Sequence, residues 1–420
     1  MARAFPYTAS LDLGSTRTRM VIATPVPDRD RWAVAGYAEV PSKGIRKGVV
    51  VNIELAEETI RQALHEAEKM AGFEVSSVHA GLSGLHIRSL NGHGVVAVAQ
   101  RNRQITAADI QRVIEQASAV SLPSDRGIIE VLPQEFVVDE QDGIGDPLGM
   151  LGMRLEVTVH IVTSPITASQ NIVTSANRLG MIVEDLTLSS LAAAAATLTE
   201  EEREYGTAIV DIGGDITSLA VFQRGAVRHT AMFGIGGAHF TNDIVVGLRS
   251  SVPEAERIKQ TFGCAFAPLL HPHEREEQLE FAASGGRARV LSRQVLCEML
   301  QPRAEEIFKQ LRENLREAGF ERKLSSGLVL TGGGSLLSGI PELAERMLDV
   351  PVRIGVPDGL DGLNEELRRA EWATAIGLIL SSIRPRAHHY LRPRGTSWRD
   401  WLTGIGAGIK SLFSLSSSAR

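Results

Sequence analysis

Two short stretches of this 420-residue chain carry one pattern about 200 residues apart. The first is Ala9-Ser10-Leu11-Asp12-Leu13-Gly14-Ser15-Thr16 and the second is Ala208-Ile209-Val210-Asp211-Ile212-Gly213-Gly214-Asp215. In each, an apolar run of strand character delivers an Asp to a glycine turn, and a second apolar run follows. Glycine lets such a turn bring backbone N–H groups close to phosphate oxygens, and Ser or Thr hydroxyls add donors. A carboxylate at the strand end can hold Mg²⁺ through water, because Mg²⁺ keeps most of its hydration shell. One copy alone also reads as an ordinary hairpin turn. Two copies imply two related halves that face each other across a cleft.

The remainder alternates strand-like and helix-like segments, which favours an α/β architecture of two to four domains. Glu54–Ala71 reads as a helix ended near Gly72, and Thr167–Leu179 and Ser189–Leu198 are also helical. Residues 84–163 differ in character. They hold a strand pair around Asn91–Gly94, a helix over Ala107–Ala119 and strands at 128–138 and 154–163, as expected of a small inserted domain. A third glycine loop, Thr331-Gly332-Gly333-Gly334-Ser335, follows the apolar run Gly327–Leu330 and precedes a helix over Pro341–Met347. Its bare backbone offers a seat for a flat base and ribose. A helix over Pro253–Phe262 puts Glu256 and Lys259 on one face. There they can either hydrogen-bond ribose hydroxyls or form a solvated ion pair.

Taken in this order, the motifs resemble the two phosphate loops and the adenosine loop of the actin-like ATPase superfamily. Within it, the chain is similar over nearly all its length to the FtsA family of bacterial cell-division proteins. Further segments carry the likeness: Leu82-Ser83-Gly84-Leu85-His86-Ile87, Leu132-Pro133-Gln134-Glu135-Phe136, Ala208–Phe222 and Trp372-Ala373-Thr374-Ala375-Ile376-Gly377. The insertion at 84–163 sits where that family carries its subdomain 1C. The resemblance implies a duplicated ribonuclease H-like fold with two lobes around a nucleotide cleft. Subdomain 1A is expected from 1–83 with 164–203 and 371–383, subdomain 2A from 204–235 with 301–370, and subdomain 2B from 236–300. It also implies ATP held by Asp12, Gly14, Ser15, Thr16, Asp211, Gly213, Gly214, Gly236, Gly237, Glu256, Lys259, Gly332, Gly333 and Gly334, with Mg²⁺ bound through water at Asp12 and Asp211. The partners implied are further copies of the chain in a filament, the C-terminal peptide of the division-ring protein FtsZ on subdomain 2B, and later division proteins on subdomain 1C. No catalytic residue is singled out, and the chain is at most a slow ATPase. One departure stands out. The family and its relatives often continue the second loop as Asp-x-Gly-Gly-Gly-Thr, whereas this chain has Asp215 and Ile216. An acid there repels phosphate unless metal or water intervenes, and Thr217 offers a hydroxyl shifted by one position.

The C-terminal end reads differently from the body. From Arg384 onward there are seven Arg or Lys and one acid, Asp400, so a net charge of −6 divides into an acidic body and a basic tail. Residues 384–396, rich in Arg, Pro and His, read as an extended linker. At 100° per residue, Trp398, Trp401, Leu402, Ile405, Ile409, Leu412 and Phe413 fall on one arc, so 397–413 is expected to form an amphipathic helix on a membrane surface. Such a helix is about 25 Å long, too short and too polar on one face to span a bilayer. Gly404, Gly406 and Gly408 each cost roughly 1 kcal/mol of helix propensity, so it is expected to order on anionic lipid. A terminal helix packed on the body is the other reading of the same stripe. No apolar signal core begins the chain, and two cysteines, Cys264 and Cys297, cannot make a disulfide framework. These features fit a cytosolic body, and the resemblance implies the cytoplasmic face of the inner membrane at the division septum. No basic, aromatic-rich face points to nucleic acid, and His271-Pro272-His273-Glu274 reads as a solvated loop beside a metal alternative. A small-molecule kinase and a pilus-assembly actin homologue share the loops and remain the competing functions.

Overall fold

The computed structural model describes residues 6–27, 31–98, 103–283 and 288–383. The expected linker at 384–396 and amphipathic helix at 397–413 lie outside the described residues. Among the described residues, no helix is long and apolar enough to cross a membrane.

One sheet topology occurs twice. The first sheet runs Ile182–Leu188, Ser77–Leu82, Thr8–Leu13, Arg17–Pro25, Trp32–Pro41. Its first three strands are parallel and its last two add as an antiparallel meander. The second sheet runs Val352–Ile354, Leu328–Thr331, Thr207–Ile212, Thr217–Gln223, Ala226–Phe233, with the same directions. In each half, the apolar run that precedes the Asp is the central strand. It is almost wholly buried, as a strand covered on both faces must be. Each lobe has its own core: Leu11, Met20, Ile60 and Leu82 belong to the first, Val210, Phe240, Phe308 and Leu330 to the second.

Two helices join the lobes, one of them almost wholly of small residues. Ser189–Thr197 lies on the second sheet and Ala373–Ile383 on the first, and the two pack against each other. Ala192 and Ala193 meet Gly377, where an added Cβ would stand 1.8 Å from the Ala192 carbonyl oxygen. The helices therefore touch backbone to backbone at this point, which any side chain at 377 would prevent. Around them Val21, Trp372, Ile376 and Ile379 form one shared core and Ala193, Ile209, Phe222 and Ala373 another.

The helix Ile53–Ala71 starts at Asn52, whose side chain accepts the Leu55 N–H, and stops at Gly72 with φ 81°, the two devices that bound a helix locally. The inserted segment forms a four-stranded antiparallel sheet ordered Arg88–Ala97, Arg154–Pro165, Arg126–Val138, Gln141–Ile144, with the helix Ala107–Ser118 on one face. Arg88–Ala97 runs straight through Asn91–Gly94, where the sequence reads as a strand pair. Gly92 and Gly94 mark helix contact here: a Cβ on either would lie 2.1 or 2.4 Å from carbonyl oxygens of Ala117 and Val113. The insert also reaches the second lobe. His160 Nε2 meets Thr230 Oγ1 at 2.9 Å, its Nδ1 meets Asn91 Oδ1 at 2.8 Å, and Gln134 Nε2 donates to Val227 O at 2.8 Å. Burial, with a smaller push from His229, lowers the His160 pKa to about 4 and keeps the ring neutral. The helix Arg293–Glu317 is continuous through Pro302 and so crosses the 300–301 boundary expected from sequence.

Gly377→Val places branched carbon atoms where the Ala192 carbonyl stands. It should destabilise the fold by about 2–3 kcal/mol, read as a lower urea midpoint. A variant as stable as the parent would mean that the helices can separate freely.

Candidate functional site

The two repeated turns meet at the mouth between the lobes. A Cβ added to Gly214 would lie 2.5 Å from the Thr16 methyl group, so the second turn presses on the first. Gly14 is required by its own turn, since a Cβ there would meet the Arg17 carbonyl oxygen at 2.5 Å. The Gly213 N–H closes the second turn on Ile216 O at 2.9 Å. Gly236 backs onto both turn carbonyls, with a Cβ position 2.6 Å from Gly213 O and from Gly214 O. The N–H groups of Gly237 and Ala238, which open the helix Gly237–Leu248, donate to those same carbonyls at 2.8 Å.

Asp12 and Asp211, one from each turn, lie close enough for the charge of Asp211 to act on Asp12. Both carboxyls are deeply enclosed and keep part of their surface open to the cleft. Burial raises Asp12 from the ordinary 3.8 to about 7; Arg19 pulls it down and the charge of Asp211 raises it further. Asp211 is raised to about 6, again by burial, against Arg19 and a 3.4 Å hydrogen bond from Thr374 Oγ1. Two acids under mutual repulsion with one shared cation form a site that lacks positive charge. Arg19 is Asp12's direct partner across the hairpin. Its guanidinium pairs with Glu39 at 2.6 Å and lies 5.5 Å over the Trp372 ring.

The third glycine loop is partly structural. A Cβ on Gly332, which has φ 80°, would lie 2.2 Å from Asp211 Oδ1, and one on Gly334 would lie 2.4 Å from the Ile212 side chain. Only Gly333 has room, its nearest neighbour being Glu371 Cβ at 4.0 Å. A Cβ on Gly237 would lie 3.6 Å from Gly334 Cα, so the second and third loops converge. Glu256 and Lys259 make a 2.8 Å ion pair, and Lys259 Nζ also donates to Gly237 O at 3.1 Å and Thr241 Oγ1 at 2.9 Å. The pair is thus tied to the start of the Gly237 helix, beside the loops. Thr217 is not a phosphate donor: it is buried and its Oγ1 donates to Ile235 O at 2.7 Å. Ile216 is buried as well. Asp215 is engaged across the cleft, its Oδ2 accepting the Lys47 N–H at 2.9 Å.

The model of the family described as "Cell division protein FtsA" matches residues 208–377, and that of the "SHS2 domain inserted in FTSA" matches residues 84–163. Cell division protein FtsA of Pseudomonas aeruginosa is 42% identical, across 90% of this chain and 89% of the relative. That of Neisseria meningitidis is 38% identical, across 89% of each. The chain belongs to the FtsA family of cell-division proteins. Among solved structures, a chain of the PilM-PilN type IV pilus biogenesis complex matches this FtsA-family member with TM-score 0.66 at 18% identity, covering 90% of this chain and 99% of the other. MreB5 of Spiroplasma citri, in a structure bound to ADP, matches with TM-score 0.54 at 14% identity, covering 88% and 94%. The fold is that of the actin-like ATPases, with an SHS2 insert.

Arg19 and Lys47 are site residues that the motifs do not name, and Thr374 lies in one of the segments that carry the family likeness, where nothing marks it as the partner of an acid. Arg19 is legible in principle, since a two-strand hairpin turning at Gly14–Thr16 must bring it opposite Asp12. Thr374 lies in a recognisable segment, but its contact with Asp211 is not readable from it, and Lys47 arrives from a distant segment that leaves no local signal. The raised carboxyls carry a stability consequence. As pH rises from about 4 to 7, the unfolded chain ionises Asp12 before the folded one does, so folding is increasingly penalised, and the penalty is complete above about 7. Without nucleotide or divalent metal, Asp12→Asn should be more stable than the parent at pH 8 by on the order of 2 kcal/mol, and this gain should fade toward pH 4. A difference independent of pH would show that the acid is not penalised by burial.

Proposed function

We propose that this chain is an ATP-binding, self-assembling adaptor that ties the FtsZ division ring to the cytoplasmic face of the inner membrane. The observation that carries the reading is the pair of buried carboxyls, Asp12 and Asp211, brought together at the twin glycine turns of an FtsA-family chain. Their raised pKa values fit a site that awaits a cation. Gly14, Gly214 and Gly236, where a Cβ would strike Arg17 O, Thr16 and the second-turn carbonyls, let the turns pack closely on one another beside the proposed phosphate seat. Mg²⁺ and ATP would supply there the positive counter-charge and the ligand across which the lobes close. Asp12 and Asp211 would hold the hydrated metal, with Gly14, Ser15, Thr16, Gly213 and Gly214 beside the phosphates. Gly236, Gly237, Gly332, Gly333 and Gly334 would form the wall toward the base, and Glu256 and Lys259 would lie at the ribose edge. Arg19 would orient the two acids from below.

A structure of MreB5 of Spiroplasma citri bound to AMPPNP shares the fold, which supports a nucleoside triphosphate in the equivalent cleft. The second turn, with Ile216 and Thr217 both turned into the core, supports slow hydrolysis at most. The FtsZ peptide is assigned to 236–300 and later division proteins to 84–163, following the resemblance. The basic, striped tail supports the membrane contact, with Trp398, Trp401, Leu402, Ile405, Ile409, Leu412 and Phe413 on the lipid side. A single short helix anchors modestly, and assembly multiplies its effect.

Two experiments test the two halves of this reading. The double variant Asp12→Ala/Asp211→Ala should weaken Mg-ATP binding by at least about tenfold in titration calorimetry; unchanged affinity would rule out the cleft. Removing residues 397–420 should leave that affinity intact and abolish co-sedimentation with anionic liposomes, whereas a truncated chain that still pelleted would sink the anchor.

A further inference from the structure

Asp215 is the one acid in either glycine turn beyond the paired carboxyls, and it is already occupied. Its Oδ2 accepts a hydrogen bond from the backbone N–H of Lys47, a residue of the other lobe, at 2.9 Å. Lys47 and Gly48 form the tip of a tight hairpin between Ile45–Arg46 and Val49–Val50, with φ 48° and 71°. Successive left-handed residues of this kind favour a two-residue hairpin loop and aim backbone N–H groups outward. The second of them, Gly48 N–H, donates to Ser15 Oγ in the first turn at 3.2 Å. One hairpin tip thus grips the first turn with one N–H and the second turn with the next. The tip is wedged from behind, since a Cβ on Gly48 would meet the Ser83 carbonyl oxygen at 2.5 Å. The turns themselves are in contact at Thr16 and Gly214.

We propose that Asp215 is a lobe-closing residue. Its carboxylate, seated on the Lys47 N–H, bridges the two turns as the terminal phosphate of a bound nucleoside triphosphate otherwise would. The inference rests on the nucleotide reading above and adds how the site is regulated. A ligand closes a cleft only by binding the closed form more tightly than the open one. If a protein carboxylate already supplies the bridging anion, a third phosphate has less closure left to drive. Its own charge is also opposed by the acid beside it. The cleft therefore closes without nucleotide and discriminates weakly between di- and triphosphate.

The test uses the full chain and the variants Asp215→Ala and Asp215→Asn, with Mg-ADP and Mg-AMPPNP as probes. In the parent, the two dissociation constants should lie within about threefold of each other, and in Asp215→Ala the ratio should shift toward AMPPNP by at least about fivefold. Hydrogen exchange of the peptide spanning 44–51 provides a second readout. Ligand-free parent should be protected there, and Asp215→Asn, which keeps an acceptor oxygen, should retain most of that protection. Asp215→Ala should lose it and regain it with AMPPNP but not with ADP. An unchanged affinity ratio in Asp215→Ala, or equal ligand-free exchange in parent and Asp215→Ala, would overturn the bridge while leaving the nucleotide site standing. A parent that binds neither nucleotide would overturn both.

Discussion

The contact on which the molecule depends is the approach of two helix backbones at Ala192 and Gly377. It is made by residues that contribute almost no side-chain bulk, and that is the reason it works. Each sheet carries its own hydrophobic core and could bury most of its apolar surface alone. What the sheets cannot do alone is hold their central-strand ends at a fixed separation. A pair of thick helices would stand the sheets further apart and pull Asp12 from Asp211. Ala192 and Ala193 against Gly377 let the two helices meet backbone to backbone, so the acids share one enclosure and one arginine.

The enclosure in turn explains the electrostatics. Neither carboxyl would be unusual at the end of an isolated hairpin. Each acquires its raised pKa from burial in the folded chain and, for Asp12, also from the charge of Asp211. Arg19 offsets part of this from within the first sheet, while Glu39 and the Trp372 ring hold its guanidinium in place. The site is thus a property of the assembled lobes: destabilising the helix pair should disturb the acids before it disturbs either sheet.

Much of this was legible in the chain. The echo between 9–16 and 208–215 identifies two hairpins, and the sheets built on them share one strand order. Helix ends at Asn52 and Gly72 are written in local chemistry. The illegible parts are those in which a residue type serves a distant neighbour. Gly92 and Gly94 read as turn formers, yet they clear space for a helix that starts 13 residues after Gly94. Gly332 and Gly334 read as a bare seat for a base, but their missing side chains mostly accommodate Asp211 and Ile212. Asp215 reads as a charge that would hang among phosphates, because nothing near it in sequence announces Lys47. Spacing reports what an element is; it reports poorly what the element leans on.

The insert's grip on the second lobe has a consequence for how its loss would be read. Ala226–Phe233 is the outermost strand of the second sheet, and its outward carbonyls would otherwise be free to pair with another chain. Side chains of the insert occupy them: Gln134 on Val227 and Arg228, Ser89 on Thr230. The insert is therefore also a guard against sticking. A chain shorn of it would present a raw sheet edge, and its precipitation in the cell would mimic the loss of a binding partner. Genetic dissection of the insert is cleaner with changes to its outer face than with its removal.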